Sequence, residues 1–117
     1  KRQGMPEARS MPAASSVKEY AVRLVYATHP NRDGSMEDIK RFVRYGSSPR
    51  GAQSLILAAK VYALLDGRFA VSHDDIRRAS LPSLRHRLIL SFQGEAEGVE
   101  PDTLLSKVLE SVPEGSA

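Results

Sequence analysis

The chain has 117 residues, which suits one domain with a core and leaves little room for a second. Its 41% apolar content excludes disorder throughout, its lack of cysteine excludes a disulfide framework, and it holds no apolar run long enough to span a bilayer as a helix. The net charge of +3 conceals an asymmetry: residues 1–93 carry 16 basic and 8 acidic side chains, whereas residues 94–117 carry 1 basic and 6 acidic. Such a basic body suits nucleic acid, an acidic partner domain or bound nucleotide, and equally an ordinary solvated surface.

Residues 1–14 mix charge, proline and small residues without periodicity, which predicts a tail or linker. A first residue Lys1 in place of methionine is what a segment excised from a longer chain would show. The first helix is predicted to begin at Ser15 or Ser16, with Ser16 and Glu19 spaced as a capping box. Val17, Tyr20, Ala21, Leu24, Val25 and Thr28 recur on one stripe, and Pro30 is expected to end the helix. His29 has no second His or Cys near it in sequence to complete a metal set. The Asn-Arg-Asp-Gly-Ser run within 31–36 predicts a loop. Residues 37–45 allow either one helical turn or a short extended piece. There Arg41 and Arg44 beside Phe42 and Tyr45 imitate a nucleic-acid patch, although aromatics so placed more often anchor a loop on the core.

The longest apolar stretch follows. Ser48 is predicted to cap a helix, Pro49 suits its first turn because the N–H it lacks would be unpaired there, and Arg50 stands next. Ala52, Leu55, Ile56, Ala59 and Ala63 recur at helical spacing, and Leu57, Ala58, Val61, Tyr62, Leu64 and Leu65 fill much of the other side. So broad an apolar girth predicts a central helix with neighbours on several sides. Gly67 supplies the stop. The free N–H groups of a helix start favour anions, and a guanidinium adds a fork suited to phosphate or carboxylate, though the helix dipole slightly disfavours a cation there.

Residues 68–71 read as a short strand-like bridge. Ser72 is the next predicted N-cap, and Asp74 and Asp75 suit the dipole of the first turn, so neither carboxylate calls for metal or acid–base chemistry. Ile76 and Ala79 carry this helix to Leu81, Pro82 is expected to break or restart it, and Leu84, Leu88 and Phe92 continue an apolar face. Arg85, His86 and Arg87 form the densest cationic point. Residues 93–100 read as a flexible acidic connection; Pro101 and Asp102 open a last helix lined by Leu104, Leu105, Val108, Leu109 and Val112, and 113–117 form a second tail. The fold class expected is all-α, a small bundle of about four main helices over 15–112 with short extended connections.

Ser48-Pro49-Arg50, the Leu65, Gly67, Arg68 turn, the Val71, Ser72, Asp74, Asp75, Ile76 segment and the His86-Arg87 pair occur in an order and spacing that closely resemble the C-terminal lid subdomain of MoxR-type AAA+ ATPases. The likeness extends over roughly residues 11–112. It implies that Arg50 is the second sensor, assisting catalysis, and that Ser48, Pro49 and Arg50 form the region facing ATP phosphate. By the same resemblance ATP with Mg would be held mainly by a P-loop subdomain of the same chain. The partners implied are neighbouring subunits of a homo-oligomeric ring, expected as a hexamer, and von Willebrand factor A domain proteins, in a cytoplasmic chaperone-like machine that couples ATP hydrolysis to motion. Whether Arg50 acts within its own subunit or on a neighbour stays open.

The 117 residues contain no G-x-x-x-x-G-K-[ST], no acidic strand end suited to magnesium, no G-x-S-x-G and no H-E-x-x-H. The expectation is an ATPase parent and no ATP hydrolysis by this segment alone. Two other readings compete: a small basic helical nucleic-acid binding module, with residues 75–90 imitating a helix-turn-helix, and a purely structural interaction domain in which Arg50 is inert.

Overall fold

A computed structural model describes residues 11–114; the outer parts of both expected tails, 1–10 and 115–117, lie outside the described residues. The chain forms α1 (Ser15–Tyr26), α2 (Glu37–Phe42), β1 (Val43–Tyr45), α3 (Pro49–Leu65), α4 (His73–Leu84), β2 (Ile89–Leu90), α5 (Phe92–Ala96) and α6 (Pro101–Ser111). Four of these are main helices, as expected, and α2 and α5 are short additions. No helix among the described residues is long and apolar enough to cross a membrane.

The core follows the helical stripes. Val17, Tyr20, Ala21, Leu24 and Val25 of α1 are buried, as are Leu55, Ala59 and Ala63 of α3, Ile76, Ala79 and Leu84 of α4, and Leu104, Leu105 and Val108 of α6. Each large aliphatic side chain so buried contributes about 1.5–3 kcal/mol. α3 packs chiefly on α4 and next on α1, and its alanines keep the helix surface low where those neighbours approach. The packed region begins before α1: Met11 is buried, and the Pro12 carbonyl accepts the Val71 N–H at 3.1 Å.

The outer side of α3 corrects one expectation. The neighbours expected on several sides are α4 and α1, and Ala58, Tyr62 and Leu64 also pack on the core, but Leu57 and Val61, 41% and 40% exposed, and Leu65, 76% exposed, leave one strip uncovered among the described residues. Helical spacing revealed that both sides are apolar, but only packing selects the side that is covered.

α1 begins at Ser15, one of the two starts expected, but its cap and several other boundaries differ. Ala14, not a serine, occupies the N-cap of α1, and no side chain caps it; the helix starts too early for Ser16 to pair with Glu19 as a box. α1 stops at Tyr26, well before Pro30, because the N–H groups of Thr28 and His29 turn back to Val25 and Tyr26 in tight i→i+3 bonds. Residues 37–45 take both forms left open for them, a helical turn followed by a strand.

No strand forms at 68–71. Gly67, at φ +75°, closes α3 in a Schellman motif, with Gly67 N–H on Leu64 O at 3.0 Å and Arg68 N–H on Ala63 O at 2.9 Å. The two-stranded antiparallel sheet instead joins β1 to β2, pairing Val43 with Leu90 and Tyr45 with Ile89.

Ser72 and Asp75 make a full capping box at the start of α4. Pro82 does not break that helix, since it falls in the last turn and removes a single N–H donor; Arg85 N–H still reaches Leu81 O at 3.0 Å. The face expected from Leu84, Leu88 and Phe92 is split by the turn into β2. Leu84 and Leu88 are buried, whereas Phe92 is 90% exposed at the start of α5. The supposed acidic connection is itself partly helical, because Ser91 Oγ caps it from Gly94 N–H at 3.0 Å and donates to Arg41 O at 2.7 Å.

Gly46 joins the sheet to α3 and lies against the end of α1. A Cβ there would come 2.5 Å from the Thr28 carbonyl oxygen, which is backbone and cannot swing aside. Gly46→Ala is therefore expected to cost about 2 kcal/mol, a typical overpacking penalty, and to lower the denaturant midpoint without changing the slope m. An unchanged midpoint would show that the loop can lift from α1 freely.

Candidate functional site

The start of α3 is held by a polar clasp on the end of α1. Thr28 Oγ1 donates to Val25 O at 2.6 Å and accepts the Ser47 N–H at 3.0 Å, while both residues are fully buried. His29 Nε2 meets the Ser47 carbonyl at 2.5 Å. A carbonyl only accepts, so Nε2 carries the proton in this contact. These bonds leave the buried loop with satisfied polar groups and give the first turn of α3 a set position.

On that turn the three expected site residues, Ser48, Pro49 and Arg50, are all exposed. Pro49 occupies the first helical position, as its missing N–H predicted. Ser48 holds the N-cap position with extended backbone, but its side chain caps nothing; Ser47 Oγ donates to Ser48 O at 3.0 Å, and Gly51 N–H closes on the same oxygen at 2.8 Å. Arg50 makes no hydrogen bond or ion pair among the described residues. Its fork is available to an anion. Gly51 is needed for closeness, since a Cβ would fall 1.8 Å from Ser47 Oγ and 3.2 Å from Leu84 Cδ2.

Beside Pro49 opens a cavity of about 370 Å³ between α1 and α3, walled by Val22, Val25, Tyr26, His29, Pro49 and Ile56. Its lining is mostly apolar, with Lys18, His29 and Gln53 as its polar members, and suits an apolar group.

The other basic residues divide by partner. Arg68 grips Asp75 in a bidentate pair, at 2.7 Å to Oδ2 and 2.6 Å to Oδ1, and reaches Asp66 at 2.9 Å. Asp75 is 2% exposed and also accepts the Ser72 N–H at 2.8 Å and hydroxyl at 3.1 Å. The Arg68 guanidinium, with help from Ser72 and against the opposing effect of burial, holds the Asp75 carboxyl below its usual range; the Asp75 carboxylate, and next that of Asp66, raise the Arg68 pKa in turn. Arg68 and Asp75 thus join the end of α3 to the start of α4. Arg78 extends this group, reaching Asp66 at 3.2 Å and lying 4.4 Å from the Tyr62 ring centre.

Arg85 forms a bidentate pair with Asp102, both contacts at 2.9 Å, which ties the end of α4 to the start of α6. His86 is exposed on a cavity shared with Glu100, Pro101 and Asp102, and Arg87 Nη2 donates to Ser54 Oγ at 2.9 Å. Arg85 and His86 thus both face the start of α6, whereas Arg87 faces α3.

Arg41 and Arg44 stack over Phe42 and Tyr45, at 4.9 and 5.2 Å from the ring centres. Phe42 packs on the core, and Tyr45 is 54% exposed. Residues 75–90 hold one helix and a strand instead of two tandem helices, which removes the helix-turn-helix imitation. No group of three or more His, Cys, Asp or Glu suited to a metal occurs among the described residues.

Sequence reasoning identified the helix start but missed the Thr28–His29–Ser47 clasp behind it. The available signal was the small Gly46-Ser47-Ser48 run together with two polar residues at the end of an apolar stripe.

Residues 35–108 match the family model of the AAA lid domain. The chain is 36% identical over 94 residues to Chaperone MoxR1 of Mycobacterium tuberculosis, covering 80% of this chain and 25% of that protein. It is 37% identical over 78 residues to Protein MoxR of Paracoccus denitrificans, covering 65% of this chain and 23% of that one. A crystal structure of a candidate ATPase from Cytophaga hutchinsonii superimposes with a TM-score of 0.85 at 29% identity, over 91% of this chain and 32% of the other. The chain thus spans about a quarter to a third of the length of these proteins.

Proposed function

As this chain belongs to the AAA lid domain family and is a lid of the MoxR type, we propose that it serves as the second-sensor lid of an AAA+ ATPase, with Arg50 contacting ATP phosphate. The observation that carries this reading is the Arg50 fork, exposed and without a protein partner among the described residues, on a helix start whose position is set by Thr28, His29 and Ser47. A charged fork on a preorganised element loses little freedom when it meets an anion, which favours phosphate recognition.

The residues present suit part of a nucleotide and not all of it. Arg50 with the exposed first turn at Ser48 and Pro49 fits a phosphate group, and the mostly apolar cavity beside Pro49 offers room for an apolar group. The glycine-rich cradle and magnesium ligands would belong to a P-loop subdomain outside these 117 residues. In this arrangement the bound ATP and Mg supply the reactive phosphate, and the lid contributes binding and position. Loss of the terminal phosphate removes the anion that Arg50 holds and shifts the lid relative to the P-loop subdomain.

The same reading makes the parent a cytoplasmic, ring-forming ATPase, expected as a hexamer, that remodels client proteins and takes von Willebrand factor A domain partners. The exposed line of Leu57, Val61 and Leu65 gives α3 an apolar outer surface suited to assembly.

Amide hydrogen exchange in the full-length protein tests the reading. The Arg50, Gly51 and Ala52 amides are expected to exchange more slowly with a non-hydrolysable ATP analogue than with ADP. Equal exchange with the two nucleotides would count against a phosphate contact at Arg50.

A further inference from the structure

Ser54 lies four residues after Arg50 on α3, so the two side chains share a face, about one turn and roughly 6 Å of axial rise apart. That face receives a second arginine. Arg87 Nη2 donates to Ser54 Oγ at 2.9 Å, and both Arg50 and Arg87 are exposed. Packing brings Arg87 there: Leu84 at the end of α4 sits 3.2 Å from where Gly51 would carry a Cβ, the Arg87 N–H turns back to Leu84 O at 2.9 Å, and Leu88 is buried just beyond.

Charge distinguishes these two arginines from several others nearby. Arg68 and Arg85 face carboxylates in bidentate pairs, and Arg78 faces Asp66. Arg87 spends one of its five donors on a neutral hydroxyl, and neither it nor Arg50 meets a carboxylate among the described residues. Two uncompensated guanidinium forks thus stand on one face. The two oxygens of a carboxylate match one fork, whereas a polyphosphate carries adjacent anionic groups that can meet both.

We propose that Arg87, positioned by Ser54, is a second polyphosphate-contacting arginine, so that the lid reads two neighbouring phosphate groups through Arg50 and Arg87 together. The inference rests on the reading of Arg50 as a phosphate contact. It also gives the His86-Arg87 pair a division of labour, in which His86 faces α6 and Arg87 faces the nucleotide side.

The test measures Kd for a non-hydrolysable ATP analogue and for ADP in the full-length ATPase carrying Arg50→Ala, Arg87→Ala, Arg87→Lys or Ser54→Ala, with Tm for each. Arg87→Ala is expected to weaken ATP-analogue binding about tenfold, the loss of one charge-assisted bond, and ADP binding less, because without the terminal phosphate held by Arg50 the lid shifts away from the nucleotide. Arg87→Lys should recover part of the loss because it keeps the charge, and Ser54→Ala should lose less than Arg87→Ala because it keeps the whole fork. Unchanged ATP-analogue binding in Arg87→Ala beside a loss in Arg50→Ala would overturn the role of Arg87 and leave Arg50 standing. Unchanged binding in both would sink both readings. An equal loss for the two nucleotides, reproduced by Ser54→Ala with a lowered Tm, would make Arg87 a structural tie and overturn the inference. A loss in Arg87→Ala alone would overturn the pair and remove Arg50 from the phosphate.

Discussion

Arg50→Ala in the full-length protein is expected to lower ATP turnover about a hundredfold, the scale seen when one preorganised donor to a transition-state oxygen is removed. Its thermal stability should barely change. Arg50 is exposed and makes no hydrogen bond or ion pair among the described residues, and such surface substitutions usually stay within about 0.5 kcal/mol. The contrast between a large kinetic effect and a small stability effect is what separates a phosphate contact from a structural arginine. Arg50→Lys should recover only part of the turnover, because an ammonium keeps the charge but loses the planar fork. Mixing Arg50→Ala subunits with subunits lacking the P-loop lysine then tells whether the arginine serves its own nucleotide or a neighbour's. Restored turnover in mixed rings would mean that it acts across the interface. Full turnover by Arg50→Ala alone would reduce Arg50 to an inert surface residue and favour the purely structural reading of the lid.

Asp75→Ala carries the largest expected stability loss, about 3 kcal/mol. It removes the capping box of α4 and leaves Arg68 without its bidentate partner. The figure sits at the low end for a broken ion pair because the Arg68 side chain is 39% exposed and water screens it. A loss of that size lowers Tm by more than about 10 °C in a domain near 100 residues. The effect also has a pH signature. Arg68 holds the folded-state carboxyl of Asp75 below its reference value of 3.8, so the stabilisation is complete above that value and is lost as pH falls through the lower folded-state pKa. The wild-type chain should therefore lose stability toward pH 2 more steeply than Asp75→Asn, which has no carboxyl to protonate at this position. Parallel acid limbs in the two proteins would remove Asp75 from the account of acid sensitivity. Because Arg68 and Asp75 join the far end of α3 to α4, loss of this contact should leave the nucleotide preference of the Arg50 end unchanged at temperatures where the lid stays folded.

Much of this protein could be read from local pattern. The α1 stripe from Val17 to Thr28 is buried as its spacing required, and Leu104, Leu105 and Val108 line α6 in the same way. Gly67 closes α3, and Ser72 caps α4 with Asp75. Pro49, the exposed Arg50 and the family likeness also lay in a short run of sequence. The errors arose where a local signal had a distant competitor. Ser16 and Glu19 had box spacing, but the first turn started earlier; residues 68–71 had strand-like residues, but the partner for a strand lay between 43–45 and 89–90.

The sequence by itself determined the four main helical segments, two of their principal stop and start signals, and the motif that presents Arg50, because periodicity, glycine conformation and capping act within one or two turns. Only the tertiary structure decided which side of α3 is covered, that Thr28 and His29 hold Ser47, that Arg68 grips Asp75, and that Arg87 reaches Ser54 on the Arg50 face. These contacts require loops to close and whole helices to pack before either partner gains anything from the other. Spacing along the chain therefore announces the residues, and folding chooses their partners.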